Sequence, residues 1–138
     1  MTNNCEKEIL GLHQFFEAWF NAKLPDNDEA FKRVSKALSP DFIMITPSGR
    51  IIDRSSLLTN LRSMNGFYLQ EDQPSSIWIK NINQHWVTDN YCITNYEEWQ
   101  GKKDRTDGKG RISSALFEKH DEAVNGVRWV HLHETWIT

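Results

Sequence analysis

Trp129-Val130-His131-Leu132-His133-Glu134-Thr135, close to the C-terminal end, is the stretch on which the fold turns. Its β-branched and aromatic residues alternate with polar ones at a period of two, which predicts a strand. Unbroken alternation places Trp129, His131, His133 and Thr135 on one face and Val130, Leu132, Glu134 and Trp136 on the other. Working backwards, residues 111–119, 91–100 and 76–87 share the texture of this last stretch, 127–137, with no helical signal between them. Thr88-Asp89-Asn90, residues 101–110 and residues 120–126 separate the four, and links this short favour antiparallel hairpins.

The first half reads differently. From about residue 4 to 23, Ile9, Leu12, Phe16, Trp19 and Phe20 recur at helical spacing, with His13, Glu17 and Asn21 assigned to the opposite side. Leu24-Pro25-Asp26-Asn27 breaks this helix, and Asp26 or Asn27 can cap a second one with Ala30, Phe31, Val34, Ala37 and Leu38 as its buried stripe, stopped by Ser39-Pro40. Residues 42–46 form a short apolar strand that runs into the turn Pro47-Ser48-Gly49. A third helix starts at the cap Asp53, buries Leu57, Leu58, Leu61 and Met64, and ends at Gly66. Helices first and strands later predict an α+β fold, with the helices on one face of an antiparallel meander.

Composition narrows the function classes. The 138 residues, 38% hydrophobic and 25% charged, suit one domain over 1–138. A net charge of -3 offers no basic field for nucleic acid. No apolar run approaches a membrane span and the N-terminus carries no leader signature, so the expected location is cytoplasmic. Cys5 and Cys92 lie far apart without ligand-like spacing and are expected to be free thiols. Aromatics make up 12% of a chain whose mean hydropathy is -0.63, enough large rings to wall a cavity as well as fill a core.

The order of elements, with the Trp129, His131-x-His133, Thr135 ending, resembles the nuclear transport factor 2-like superfamily over nearly the whole chain. The ending is similar to that of its SnoaL-like and kinase-association-domain branches. The resemblance implies a cystatin-like, cone-shaped roll of three N-terminal helices on a curved antiparallel sheet, a homodimer formed through outer sheet faces, and a pocket between helices and sheet. It also bears on one known chemistry of the fold. Ketosteroid isomerases of this fold carry a carboxylate at the end of the first strand and a tyrosine in the first helix, where this chain has Thr46 and Phe16. Neither can do that work, so enolisation of that type is not expected.

The resemblance further implies that the His131 and His133 face turns inward, giving two imidazoles able to bind an anion or carbonyl or to act as acid and base. Glu97 and Glu98 must face opposite sides, and the same alignment favours Glu97 inward beside Asn95 and Trp99. The expected catalytic set is therefore His131, His133 and Glu97, with Phe16, Trp19, Met44, Thr46, Trp99, Arg111 and Trp129 as ligand contacts, and Phe16, Trp19 and Trp99 as a lid. Competing structural readings are a Glu97–Arg111 ion pair and histidines packed against aromatics or at a subunit interface. If the last strand is shifted by one residue, Glu134 replaces the histidines in the pocket. Arg111, Ser113, Ala115 and Phe117 share one face of their strand. His-x-His lacks a third ligand at a recognisable spacing, so no metal is expected, and no dinucleotide or phosphate loop signals a cofactor. The expected function is binding, with or without transformation, of a small, partly apolar ligand bearing a carbonyl or carboxylate. As an enzyme, the chain would be a cofactor-independent isomerase, lyase or hydrolase; the alternative is a non-catalytic dimerisation or assembly module.

Overall fold

The computed structural model describes residues 4–105 and 108–137. Met1, Thr2, Asn3, Thr138 and the Thr106-Asp107 centre of the expected 101–110 loop lie outside the described residues. The chain runs α1 (Asn4–Phe20), α2 (Asp28–Ser35), β1 (Leu38–Ile45), β2 (Ile51–Asp53), α3 (Arg54–Arg62), a single 3-10 turn (Phe67–Leu69), β3 (Ser76–Val87), β4 (Tyr91–Gly101), β5 (Lys109–Lys119) and β6 (Val127–Trp136). The strands form one sheet in the order β2-β1-β6-β5-β4-β3, with three helices packed against it. β3 to β6 are the expected antiparallel meander.

Two features correct the sequence reading. Among the described residues the sheet has six strands and is not wholly antiparallel, because the expected first strand, β1, joins β6 in parallel and the unexpected β2 pairs back onto β1. α3 also follows two strands, so it does not group with the two N-terminal helices. Leu38 is already paired with Trp129, and the ladder then slips before resuming at Ile43 with His131. Ser39-Pro40 thus lies in this irregular part of β1, where a residue without an N–H does no harm.

α1 buries Ile9, Leu12, Phe15, Trp19 and Phe20, and with them Glu8 and His13. His13 belongs to the buried side, which corrects its assignment to the polar face. Asn27 caps α2 by accepting from Ala30 N, and Asp53 caps α3 by accepting from Ser56 N. Gly66, at φ +82°, takes the left-handed conformation that closes the α3 segment, and its N–H donates to Trp19 O at 3.0 Å. Among the described residues no helix is long and apolar enough to cross a membrane.

Glu8 ties the N-terminal helix to three other parts of the chain. Its carboxylate accepts from both terminal nitrogens of Arg33 (3.2 and 2.9 Å), from Asn125 Nδ2 (2.9 Å) and from Trp129 Nε1 (2.9 Å). Such a charge is tolerable inside the protein because every contact is a charge-assisted hydrogen bond.

Candidate functional site

Cross-strand register decides which side chains face the helices. Four rows result from the pairing of β4, β5 and β6: Glu98–Arg111–Trp136, Tyr96–Ser113–Glu134, Thr94–Ala115–Leu132 and Cys92–Phe117–Trp129. Successive rows are two residues apart, about 7 Å along the strands. Between the third and fourth rows the ladder slips, since Leu116 pairs with His131 while Phe117 pairs with Trp129. Val130 is the extra residue of this bulge. A bulge inserts one residue and reverses the parity of everything beyond it. Trp129 therefore points inward, and so do Leu132 and Glu134.

His131 and His133 consequently lie on the outer face, half-buried and exposed respectively, and this corrects their expected inward orientation. The shifted-strand alternative, with Glu134 inward, is the arrangement found. Glu97 also faces outward, where it accepts from Asn81 Nδ2 at 2.6 Å and Trp99 Nε1 at 3.0 Å. These two hydrogen bonds hold its carboxyl below the usual range. Glu98 is the inward acid of the pair, and the Glu97–Arg111 ion pair is not formed. Of the expected contacts, Phe16, Met44, Arg111 and Trp129 line the cavity. Trp19 is sequestered in the core, stacked on Phe15 with Nε1 donating to Leu61 O. Trp99 lies on the outer face beneath Lys80, and Thr46 is engaged in the β1–β2 turn with Ser48 and Arg50.

The cavity between sheet and helices measures about 350 Å3. Its walls are apolar: Leu12, Phe16 and Phe20 from α1, Met44 from β1, Leu57 and Leu61 from α3. Polar groups gather on one side only. His13 donates from Nδ1 to Ile9 O at 2.7 Å, because a carbonyl can only accept, so the 3.0 Å contact between Nε2 and Glu98 Oε1 must contain the pair's remaining proton. Burial alone would lower the His13 value, but the Glu98 carboxylate outweighs it and raises it. Burial alone would likewise raise Glu98, yet His13, Arg111 and Gln100 hold it well below the usual carboxylate range. The pair is an imidazolium and a carboxylate. Gln100 Nε2 donates to Glu98 Oε2 at 2.5 Å, and Tyr68 in turn donates to Gln100 Oε1 at 2.9 Å.

Glu134 sits in the next row and behaves differently. Burial, with the nearby Glu98 charge, pushes its carboxyl up to about 7 although Arg111 Nη1 donates to it at 3.0 Å. Beside it, the Tyr96 hydroxyl is buried, lines the cavity and makes no hydrogen bond of good geometry, Ser113 across the strands being its polar neighbour. Burial and the two carboxylates raise Tyr96 well above the ordinary phenol value, so it stays protonated. Nε of Arg111 is buried and unpartnered as well. This side of the cavity thus offers a phenol donor, a carboxyl that gains or loses a proton near neutrality, and a fixed guanidinium. Among the described residues no three His, Cys, Asp or Glu side chains converge as metal ligands.

Sequence reasoning did not single out Tyr96, placed His13 on the polar side of its helix, and passed over Glu98 in favour of Glu97. His13 stands four residues after Ile9 and three before Phe16, a spacing that already places it on the buried stripe. Glu98 and Tyr96 share parity with Cys92 and Thr94, whose small side chains suit the close approach of a helix. Cys5 and Cys92 are both free, buried thiols. They meet across the α1–β4 contact, where burial and the Cys92 neighbour push the Cys5 thiol up to about 12.

Solved structures share this fold at low identity. An NTF-2 like protein of unknown function from Pseudomonas aeruginosa matches with a TM-score of 0.81 at 23% identity, covering 98% of this chain and 99% of that one. An uncharacterised protein with a cystatin-like fold from Caulobacter vibrioides matches at TM-score 0.67 and 16% identity, over 99% of this chain and 89% of that one. The CamKII hub homology domain of Chlamydomonas reinhardtii matches at TM-score 0.63 and 12% identity, over 97% and 99%. No curated protein matches the chain. The family model described as "Sucrose-6-phosphate phosphohydrolase C-terminal" matches residues 5–138, which takes in every element from α1 to β6. The chain has the nuclear transport factor 2-like fold and belongs to the sucrose-6-phosphate phosphohydrolase C-terminal family.

Proposed function

We propose that this chain binds a compact, largely apolar small molecule through a carbonyl or carboxylate head. The observation that carries the reading is the Tyr96 hydroxyl, a buried donor that makes no well-aligned hydrogen bond, in a wall that is otherwise mostly hydrocarbon and ring. An unmade hydrogen bond there costs about 1–3 kcal/mol, which an accepting ligand atom recovers. About 350 Å3 is at the small end of ligand cavities and roughly twice the ~150 Å3 that holds benzene, so two fused rings or a comparable chain fill it. Phe16, Met44, Leu132 and Trp129 form the apolar walls, while Tyr96, Glu134 and Arg111 meet the head. A sugar phosphate, which the family's name brings to mind, suits these walls poorly because its hydroxyls would lose water without gaining partners. Where binding leads to chemistry, Glu134 is the group fitted to move a proton, and the reaction is a cofactor-independent isomerisation or elimination.

Saturation-transfer NMR with two naphthalene probes of matched size, acetonaphthone and naphthoate, tests this reading. At least one binds the wild-type chain, and filling the cavity with Leu132→Trp abolishes its signal. Binding of neither probe, or binding that Leu132→Trp leaves intact, contradicts the reading.

A second reading, self-association, draws on the outer face. There Trp86, Ile93, Leu116, His131 and Ile43 form one row across β3, β4, β5, β6 and β1. Trp86 is 72% exposed, Ile43 41% and Ile93 38%. Contiguous apolar residues in the middle of a sheet suit pairing with a second copy, the homodimer expected from the fold. Light scattering of the wild type and of Ile93→Glu tests it: a dimer that becomes a monomer supports the reading, and a wild-type monomer contradicts it.

A further inference from the structure

A charged hollow adjoins the cavity, and its composition constrains the ligand further than size does. A second hollow of about 350 Å3 shares Gln73, Pro74, Gln100 and Arg111 as lining with the first, so the two adjoin at these residues, and the second is taken as the entrance. Lys102, Lys109 and Trp136 join it at the strand ends, with Asp72 opposite. Among the described residues, three cations line it against one carboxylate, a marked local departure for a chain of net charge -3. Sheet register then orders the groups along one axis. The entrance is followed by Glu98–Arg111–Trp136, then by Tyr96–Ser113–Glu134, then by the hydrocarbon row that ends in Leu132.

We infer that the ligand is an amphipathic carboxylate whose negative head rests just inside the entrance, between Arg111 and the Tyr96 hydroxyl, with its apolar body directed inward toward Leu132, Met44 and Leu61. The inference rests on the binding reading above and deepens it. Two contacts fix Arg111 in position, since its guanidinium lies 4.7 Å from the Trp136 ring centre and Nη1 is tied to Glu134 at 3.0 Å. Its Nε remains buried without a partner, a desolvated cationic donor of the kind that selects an anion. Glu98 is already neutralised by His13. Glu134 offsets Arg111 only in part, since burial keeps its carboxyl from ionising fully near neutrality. Lys102 and Lys109 are exposed and add a field that draws anions to the opening. A cationic head would meet three like charges here. A neutral carbonyl head would accept from the Arg111 donor without the charge assistance that a carboxylate gains.

Fluorescence titration of naphthoate and acetonaphthone, at low and at raised salt, separates this inference from the broader one. Naphthoate is expected to bind at least about tenfold more tightly than acetonaphthone, the advantage of a hydrogen bond to a charged group. That ratio shrinks with salt, shrinks in Lys102→Gln/Lys109→Gln, and is lost in Arg111→Met. The lysine pair lies on the surface, so its variant keeps the inference testable should Arg111→Met fail to fold. Equal affinities, a preference for acetonaphthone, or a ratio unmoved by salt and by the lysine pair overturns the inference while leaving the binding reading standing. Binding of neither probe overturns both.

Discussion

Three ionisable side chains around the cavity, Glu134, His13 and Glu98, set how stability responds to pH. Glu134 holds its proton more firmly folded than unfolded, since its value rises from 4.5 to about 7, so it withdraws stability as pH climbs through that window. His13 has a raised value, so its contribution is complete below 6.5 and is lost as pH rises through the folded value. Glu98 works in the opposite sense: its value is lowered, and its contribution is lost as pH falls below the ordinary 4.5. Arg111 stays charged throughout and contributes no slope of its own. Denaturation across this range should show stability falling between about 4.5 and about 7, and Glu134→Gln should flatten that segment while leaving the decline above 6.5 that belongs to His13. A Glu134→Gln profile superimposable on wild type contradicts the assignment. At this scale the sequence was half legible. Alternation alone put Arg111 with Ser113, Ala115 and Phe117, and it named Glu134 as the acid that a one-residue shift would bring inward. It could not choose between Glu97 and Glu98, because a Tyr-Glu-Glu-Trp stretch reads equally well in either parity.

The elements owe their placement to a few contacts between residues distant in sequence. Glu8 joins α1 to Arg33 of α2, to Asn125 before β6 and to Trp129 of β6. Glu8→Gln leaves Arg33 without its counter-charge and should cost about 3 kcal/mol, read from the midpoint shift in urea. A loss below about 1 kcal/mol would show that solvent reaches the pair. Gly110 lies at the start of β5 beneath Trp99, and a Cβ there would stand 2.6 Å from the ring's Cε2. Gly110→Ala should therefore destabilise by about 1–3 kcal/mol through overpacking, with Trp99 fluorescence reporting the displaced ring. Periodicity revealed α1, α2 and the four strands of the meander because each carries its own signal over many residues. β2 is three residues long and β1 meets β6 across most of the chain, so neither pairing has a local signature. The bulge at Val130 was equally silent: valine is an ordinary strand residue, and nothing in its neighbours announces a change of parity.

Taken whole, the molecule presents two sheet faces of different character. The helix-facing side encloses the cavity and its graded polarity, while the outer side carries His131, His133 and an exposed apolar row suited to a second copy. Ile93→Glu should remove self-association without affecting probe binding, since the two faces share no side chain. Loss of both together would place the binding site at the interface instead. The central claim is that the inner face, not the histidine face, receives the ligand. Intermolecular NOEs between bound naphthoate and assigned methyl groups test it most directly. Contacts to Met44, Leu61 and Leu132, and none to Ile43 or Ile112, are expected. Contacts confined to Ile43 and Ile112, beside His131 and His133, would contradict it.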